Sequence, residues 1–304
     1  MKQEFYSNGK LLITGEYTVL DGAHALALPT KFGQSLEVKA IGGDKILWTS
    51  FDNDGTVWFD EELAVADVLN GILYSDKPET NTLIRILHEA SLLNPEFLKP
   101  DSGFKVATHL TFPRKWGLGT SSTLINNIAG WFSINAFTLL KNSFGGSGYD
   151  IACAQNDTPI LYSLEDGFSK VSPVDFNPAF AEKLYFVYLN KKQNSRDAIA
   201  AYRNRQNNIA PTVEKISSIT SQLIKTESLS SFCEFLEMHE TLMSEILGQP
   251  TVKTALFPDF KGTLKSLGAW GGDFILAAAE ENPTDYFKEL GYDTAIPYNE
   301  MILK

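Results

Sequence analysis

The segment "GFKVATHLTFPRKWGLGTSSTLINNIAGWF", residues 103 to 132, constrains this chain more than any other. It opens with strict alternation: Phe104, Val106, Thr108, Leu110 and Phe112 share one face, as in a half-buried strand. Further on, Leu124, Ile125, Ile128, Ala129 and Phe132 fall on one side of a helix that continues through "SINAFTLL". Between them stand two glycines and four consecutive hydroxyl side chains, Thr120 to Thr123. A strand that turns through glycines into a helix belongs to a mixed α/β chain.

The turn admits two readings. A helix begins with backbone N–H groups that have no partner inside it, and with the dipole they attract anions. Gly117 and Gly119 let the backbone approach a polyphosphate, and Thr120, Ser121 and Ser122 can bind phosphate oxygens or ligate Mg²⁺. A capped helix after a tight turn needs no ligand at all. The usual nucleotide motifs are absent. There is no G-x-x-x-x-G-K-[ST], and "GLGTSS" has serine where a dinucleotide fingerprint has its third glycine.

The rest of the chain fits one large or two medium domains in 304 residues, 43% of them hydrophobic. "KLLIT", "ALALPTKFGQSLEVKAI" and "KLYFVYLN" read as strands, and "DKILWTSF" with "GTVWF" as a hairpin. From residue 190 to about 247 the pattern is mostly helical. The stripe Phe232, Phe235, Leu236, Leu242, Met243, Ile246 and Leu247 reads as a core face. This shift from strand-rich to helix-rich sequence places a boundary near residue 180. A net charge of −11 without a basic patch argues against nucleic acid and anionic membranes. Cys153 and Cys233 lie in apolar helical patterns and read as buried, reduced thiols. The four histidines lack metal-ligand spacing. The N-terminus lacks the apolar core of a signal peptide, and no run approaches the ~20 apolar residues of a membrane span. A cytoplasmic protein, monomer or homodimer, is expected.

Four segments occur in a telling order: "GKLLITGEYTVLDGAHALALP", "WGLGTSST", "GGSGYDIACA" and "GAWGGDFILA". Together they resemble the GHMP small-molecule kinases, which include galactokinase, homoserine kinase, mevalonate kinase and phosphomevalonate kinase. The first resembles the family's N-terminal element, the second its phosphate loop, and the third the segment with its catalytic aspartate. The fourth resembles its C-terminal glycine-rich loop. The resemblance implies an α+β fold with an N-terminal domain similar to ribosomal protein S5 domain 2, residues 1–180. It implies a ferredoxin-like C-terminal domain, residues 181–304. It also implies ATP with its phosphates over Gly117, Leu118, Gly119, Thr120, Ser121 and Ser122.

Carried over residue by residue, Asp150 matches the aspartate that takes the acceptor's hydroxyl proton; without the resemblance it reads as a helix N-cap. Lys10 matches the lysine that steadies the aspartate and the transferring phosphoryl group. Ser121 matches the serine that contacts Mg²⁺. Glu16, Tyr17, Gly268, Gly271, Gly272 and Asp273 stand where the acceptor side is lined. Lys192, Ser195 and Arg196 can grip an anionic acceptor or form a solvated loop. "GEY", "GSGYDIA" and the aspartate of "GAWGGD" look more like phosphomevalonate kinase, whereas "KKQNSRDAI" looks closer to mevalonate kinases. The resemblance therefore implies a mevalonate-pathway kinase. A sugar or amino-alcohol kinase and a non-catalytic ligand-binding descendant are the alternatives. Two departures stand out: "LLKNSFGG" carries no acid where mevalonate kinases have a metal-binding glutamate, and Trp270 replaces a glycine.

Overall fold

The structure, a computed structural model, describes residues 2–73, 75–193, 195–204 and 209–303, with their side chains except those of 195–197 and 201. It is a mixed α+β chain that divides into two compact units, each discontinuous in sequence. The first comprises Met1–Gly9, Phe32–Arg114 and Gly119–Gln155. The second comprises Lys10–Lys31, Lys115–Leu118 and Asn156–Lys304.

The chain opens with β1 (Lys2–Leu12) and β2 (Ala25–Ile41), both of which run from one unit into the other. The first unit adds β3 (Lys45–Phe51), β4 (Val57–Ala64), α1 (Val65–Asn70), α2 (Pro78–Leu93) and β5 (Gly103–Leu110). It ends with α3 (Thr120–Phe132), α4 (Ala136–Ser143) and α5 (Tyr149–Ala154). β5 lies between β2, antiparallel with Leu36 opposite Thr108, and β3, parallel with Trp48 opposite Val106. The alternation along β5 is realised: Val106, Thr108 and Leu110 are buried and Lys105 is exposed. Leu83, Ile84, Ile86 and Leu87 of α2 and Ile125, Ile128 and Phe132 of α3 close over Leu36, Val38, Ile46 and Trp48. Burying each such side chain contributes roughly 1.5–3 kcal/mol before conformational entropy is subtracted.

The helical pattern of residues 123–140 is not one helix. Ser133 turns left-handed at φ 55°, and Ile134 N–H donates to the Ala129 carbonyl, which closes α3. Asn135 then starts α4 by accepting from Thr138 N–H at 3.0 Å. A serine and an asparagine that satisfy helix ends outweigh an uninterrupted apolar period.

In the second unit, Ala25–Ala27 of β2 pair with β6 (Ile160–Glu165), which forms a hairpin with β7 (Phe168–Pro173). A four-stranded antiparallel sheet follows, formed by β8 (Leu184–Tyr188), β9 (Thr263–Ser266), β10 (Phe274–Ala278) and β11 (Ala295–Pro297) in the order β11-β8-β10-β9. Its helices are α6 (Ser195–Arg203), α7 (Ala210–Leu223), α8 (Leu229–Leu247), α9 (Val252–Leu256), α10 (Thr284–Glu289) and α11 (Tyr298–Met301). Phe232, Leu236, Met243 and Leu247 of the α8 stripe are buried, as its spacing requires. Neither cysteine forms a disulfide; Cys153 is buried, whereas Cys233 is only half-buried, which corrects the expectation of two buried thiols. Among the described residues no helix is long and apolar enough to cross a membrane.

Candidate active site

In the first unit, the glycine-rich turn delivers α3 with its N-terminus bare. Gly119 is the N-cap at φ 97° and no side chain caps this end. The first turn therefore offers backbone N–H groups together with the half-buried Thr120 and Ser122 hydroxyls and the exposed Ser121. Polar pins hold the helix in place. Thr123 Oγ1 donates to Gln34 Oε1 at 2.7 Å, and Asn127 Nδ2 donates to the Gln34 carbonyl at 2.9 Å. Asn127 Oδ1 accepts from Ser7 Oγ at 2.7 Å.

Thr120 and Ser121 also line a cavity of about 310 Å³. Its other walls include Trp48 and Ser50 of β3, Trp58 and Phe59 of β4, and Leu83 and Ile86 of α2. That volume lies at the small end of ligand pockets, and the lining is apolar with a few polar groups. One cavity thus joins a helix N-terminus suited to an anion with a wall suited to a flat ring.

Asp150 lies in the first turn of α5, which packs against α3. The N-cap there is Gly148, at φ 90°, so Asp150 is not the cap. The end of α4 and the loop before α5, residues 141–147, have no acid, and glycines at 145 and 146 take positive φ. Among the described residues no group of three His, Cys, Asp or Glu side chains is placed to hold a metal ion. The Ser121 hydroxyl, exposed at the start of α3, is the oxygen donor this loop would offer a hydrated divalent cation, which takes few protein ligands.

In the second unit, Lys10 secures the loop ahead of α3. Its backbone N–H donates to the Leu118 carbonyl at 3.0 Å and its Nζ to the Gly117 carbonyl at 3.2 Å. Gly117 is required there. Its φ is 72°, and an added Cβ would stand 2.4 Å from Cγ of Asp273. Asp273 itself is left-handed at φ 52°. Its N–H donates to the Lys191 carbonyl at 2.7 Å, and its Oδ1 accepts from Gln193 N–H at 3.2 Å. Burial raises the Asp273 pKa, and the charges of Lys10 and Lys192 oppose that shift. Gln193 Nε2 donates to the Trp270 carbonyl at 2.9 Å, and Gly271 and Gly272 leave it room.

Tyr17, left-handed at φ 57°, accepts from Trp270 N–H at 3.1 Å and stacks on Tyr202 at 5.4 Å. Burial raises its phenol to about 12. Trp270 is 5% exposed and packs with Tyr17, Tyr202 and Met243. Glu16 is buried and committed to Lys265, whose ammonium bonds it directly. Lys192 is exposed, Gly268 turns at φ 62°, and the side chains of Ser195 and Arg196 in α6 lie outside the described residues.

The structure thus brings Lys10, Gly117, Leu118 and Asp273 together in one unit, and Thr120 and Ser121 against the cavity in the other. Sequence reasoning passed over Ser50, Trp58, Gln193, His239, Glu240 and Lys265. Only the last three left a signal: a histidine and a glutamate on the apolar face of α8, and a lysine within the short strand "TLKS".

No family model matches this sequence, and no curated protein matches it. Solved structures do. The fold is similar to mevalonate kinase from Methanococcus jannaschii, at 16% identity over 97% of this chain and 96% of that one, with a TM-score of 0.71. It is similar to Streptococcus pneumoniae phosphomevalonate kinase in complex with phosphomevalonate and AMPPNP, at 16% identity over 96% and 99% with a TM-score of 0.71. Lactococcus lactis galactokinase complexed with galactose follows at 14% identity over 97% and 92%, TM-score 0.66. The chain has the fold of the GHMP kinases.

Proposed function

We propose that this protein is an ATP-dependent phosphotransferase of the GHMP type acting on a small alcohol or phosphate acceptor. Mevalonate and phosphomevalonate are the leading acceptors. The observation that carries the reading is the cavity that reaches from the uncapped N-terminus of α3 to the tryptophan wall of β3 and β4. A nucleotide is an anion joined to a flat ring, and a single cavity offers both complements. Complexes of fold neighbours, one with phosphomevalonate and AMPPNP and one with galactose, support it.

In this reading the phosphates lie over residues 117–122, and Lys10 keeps the loop in register while its charge faces the transferring group. Asp150 accepts the proton of an acceptor hydroxyl. The freed oxygen attacks the γ-phosphorus, and the bond to the β–γ bridging oxygen breaks with its electron pair leaving on ADP. Mg²⁺ supplies charge neutralisation of the phosphates, with Ser121 as the protein contact. The same reading keeps residues 1–180 as the ATP-binding domain and 181–304 as a ferredoxin-like domain. Tyr17, Gly268, Gly271, Gly272 and Asp273 then border the acceptor, with Lys192, Ser195 and Arg196 available to an anionic one. Glu16 acts behind them.

A second reading has its own observation. Trp270 and Tyr17 are buried against each other where an acceptor would be lined. A descendant that binds nucleotide without turnover fits this crowding. ADP release with Mg²⁺ over mevalonate, phosphomevalonate, galactose and homoserine separates the readings. Turnover on a mevalonate-pathway acceptor, abolished by Asp150→Asn with folding intact, is the expected result. Turnover on galactose alone rejects the acceptor assignment. Nucleotide binding with no turnover across the panel selects the second reading, and full activity of Asp150→Asn rejects the base.

A further inference from the structure

In the second unit, α6 is seated differently from its neighbours. α7 buries Ile216, Ile219 and Leu223, and α8 buries Phe232, Leu236, Met243 and Leu247, as amphipathic helices do. Of the side chains described in α6, only Tyr202 is buried; Ala198 and Ile199 are half-buried, and Ala200 and Arg203 are exposed. Tyr202 is buried completely. A buried phenol needs a partner for its hydroxyl, and Tyr202 Oη donates to Asp21 Oδ2 at 2.7 Å. Its ring stacks on Tyr17, with 5.4 Å between centroids and 30° between planes. One residue of α6 therefore holds both ends of the turn formed by residues 17–21.

That turn leads to the acceptor side. Tyr17 is left-handed at φ 57°, a conformation that a bulky residue keeps only where its surroundings impose it. Its hydroxyl accepts from Trp270 N–H at 3.1 Å, within the glycine-rich loop that ends at Asp273. Tyr202 shares one apolar cluster with Tyr17, Trp270, Ile216 and Met243. α6 begins at Ser195, two helical turns or roughly 10 Å before Tyr202, so seating Tyr202 also sets where the helix starts. We propose that Tyr202 is a positioning residue for the acceptor: seated on Tyr17 and Asp21, it fixes the Tyr17 ring against the glycine-rich loop and fixes the start of α6. The proposal rests on the kinase reading above and deepens it. Being fully buried, Tyr202 acts through Tyr17 and α6. Asp21 is exposed, so loss of the phenol hydroxyl leaves its carboxylate in water and not orphaned.

The test uses the whole chain with ATP, Mg²⁺ and two acceptors, mevalonate and phosphomevalonate. Tyr202→Phe keeps the ring on Tyr17 and removes only the hydroxyl. The acceptor KM is expected to rise several-fold, with about tenfold as the limit set by one hydrogen bond to a charged group. kcat, the KM for ATP and the melting temperature stay at the parent's values. Hydrogen exchange of the unliganded chain, read by mass spectrometry, quickens in α6 and at residues 17–21 alone. Asp21→Ala reproduces both effects, whereas Asp21→Asn, which keeps an oxygen acceptor, retains most of the parent's behaviour. The double variant Tyr202→Phe/Asp21→Ala is no worse than either single one. An unchanged acceptor KM overturns the proposal even if exchange quickens, because α6 is then seated without bearing on the acceptor. Unchanged exchange overturns the seating itself. The kinase reading survives both results. Parallel loss of kcat, both KM values and the melting temperature also overturns the proposal, because Tyr202 then supports the fold. If the natural chain turns over neither acceptor, the acceptor reading fails and the proposal fails with it.

Discussion

Two regions of this molecule bury polar side chains, and they do so in opposite ways. In the first unit, the cavity wall of β3 and β4 holds neutral donors, one of them unmatched, beside open space. In the second unit, Glu16, His239, Glu240 and Lys265 are all buried and directed at one another. Lys265 Nζ bonds Glu16 and the Ser266 carbonyl, and it lies 3.4 Å from Glu240. Glu240 in turn accepts from Ser266 N–H and Oγ, and His239 Nε2 accepts from Gly15 N–H at 2.9 Å. The cluster thereby ties the turn carrying Tyr17 to the start of the glycine-rich loop ahead of Asp273. Charges paired with one another hold a fold in register even where single atoms, Glu16 Oε2 and His239 Nδ1, lack a hydrogen-bond partner, whereas neutral donors beside a void are open to a ligand.

The comparison is broken most severely by removing the cation. Lys265→Met leaves buried Glu16 and Glu240 without their cation and is expected to cost about 3–5 kcal/mol, read from the urea midpoint. A loss below 1 kcal/mol would show that the cluster is hydrated and that the contrast with the cavity is false. Next in size is a pH effect. Burial raises the Glu16 pKa to about 7, against the pull of Lys265. The folded chain keeps a proton there that the unfolded chain releases above about 4.5. The resulting stability is complete below that pH and is lost as pH rises through 7. His239 runs the other way. Burial and Lys265 lower its pKa, so its contribution is complete above about 6.5 and is lost on acidification. Glu16→Gln removes only the first term. The stability difference between variant and parent should therefore move in the variant's favour by on the order of 3 kcal/mol from pH 4.5 to 8. Parallel curves for the two proteins would reject a Glu16 that titrates near neutrality.

The same contrast explains what could be read from the sequence. The strand from Ala25 to Ile41, the alternation along β5 and the α8 stripe are local periodicities, and the structure realises them. The glycine-rich turn was legible because positive φ has a residue signature in Gly117 and Gly119; the bare helix start was not, because Thr120, Ser121 and Ser122 read equally well as caps. The break at Ser133 was not, because a left-handed serine followed by an asparagine cap is invisible to an apolar count. The ionic cluster was hidden by distance along the chain. His239 and Glu240 were visible as polar intrusions on an apolar face, but Glu16 and Lys265 lie 249 residues apart and nothing local pairs them. Trp58 gave no sign beyond a strand-forming aromatic, since a cavity is a property of packing between strands and helices.

The smallest expected effect lies within the cavity wall. Ser50 and Trp58 both line the cavity, yet only the Ser50 hydroxyl is hydrogen-bonded, as acceptor for Trp48 Nε1, whereas Trp58 Nε1 has no partner. Ser50→Ala should orphan that buried indole N–H and lower stability by about 1–2 kcal/mol, seen as a lower melting temperature. Ligand affinity should fall as well, because the hydroxyl donor goes with the acceptor. Trp58→Phe lowers affinity without lowering stability, so the two substitutions separate a donor reserved for a ligand from one shared with the fold. If Ser50→Ala leaves the melting temperature untouched, the Trp48–Ser50 bond is not holding the wall, and Trp58 alone must account for any selectivity toward the base.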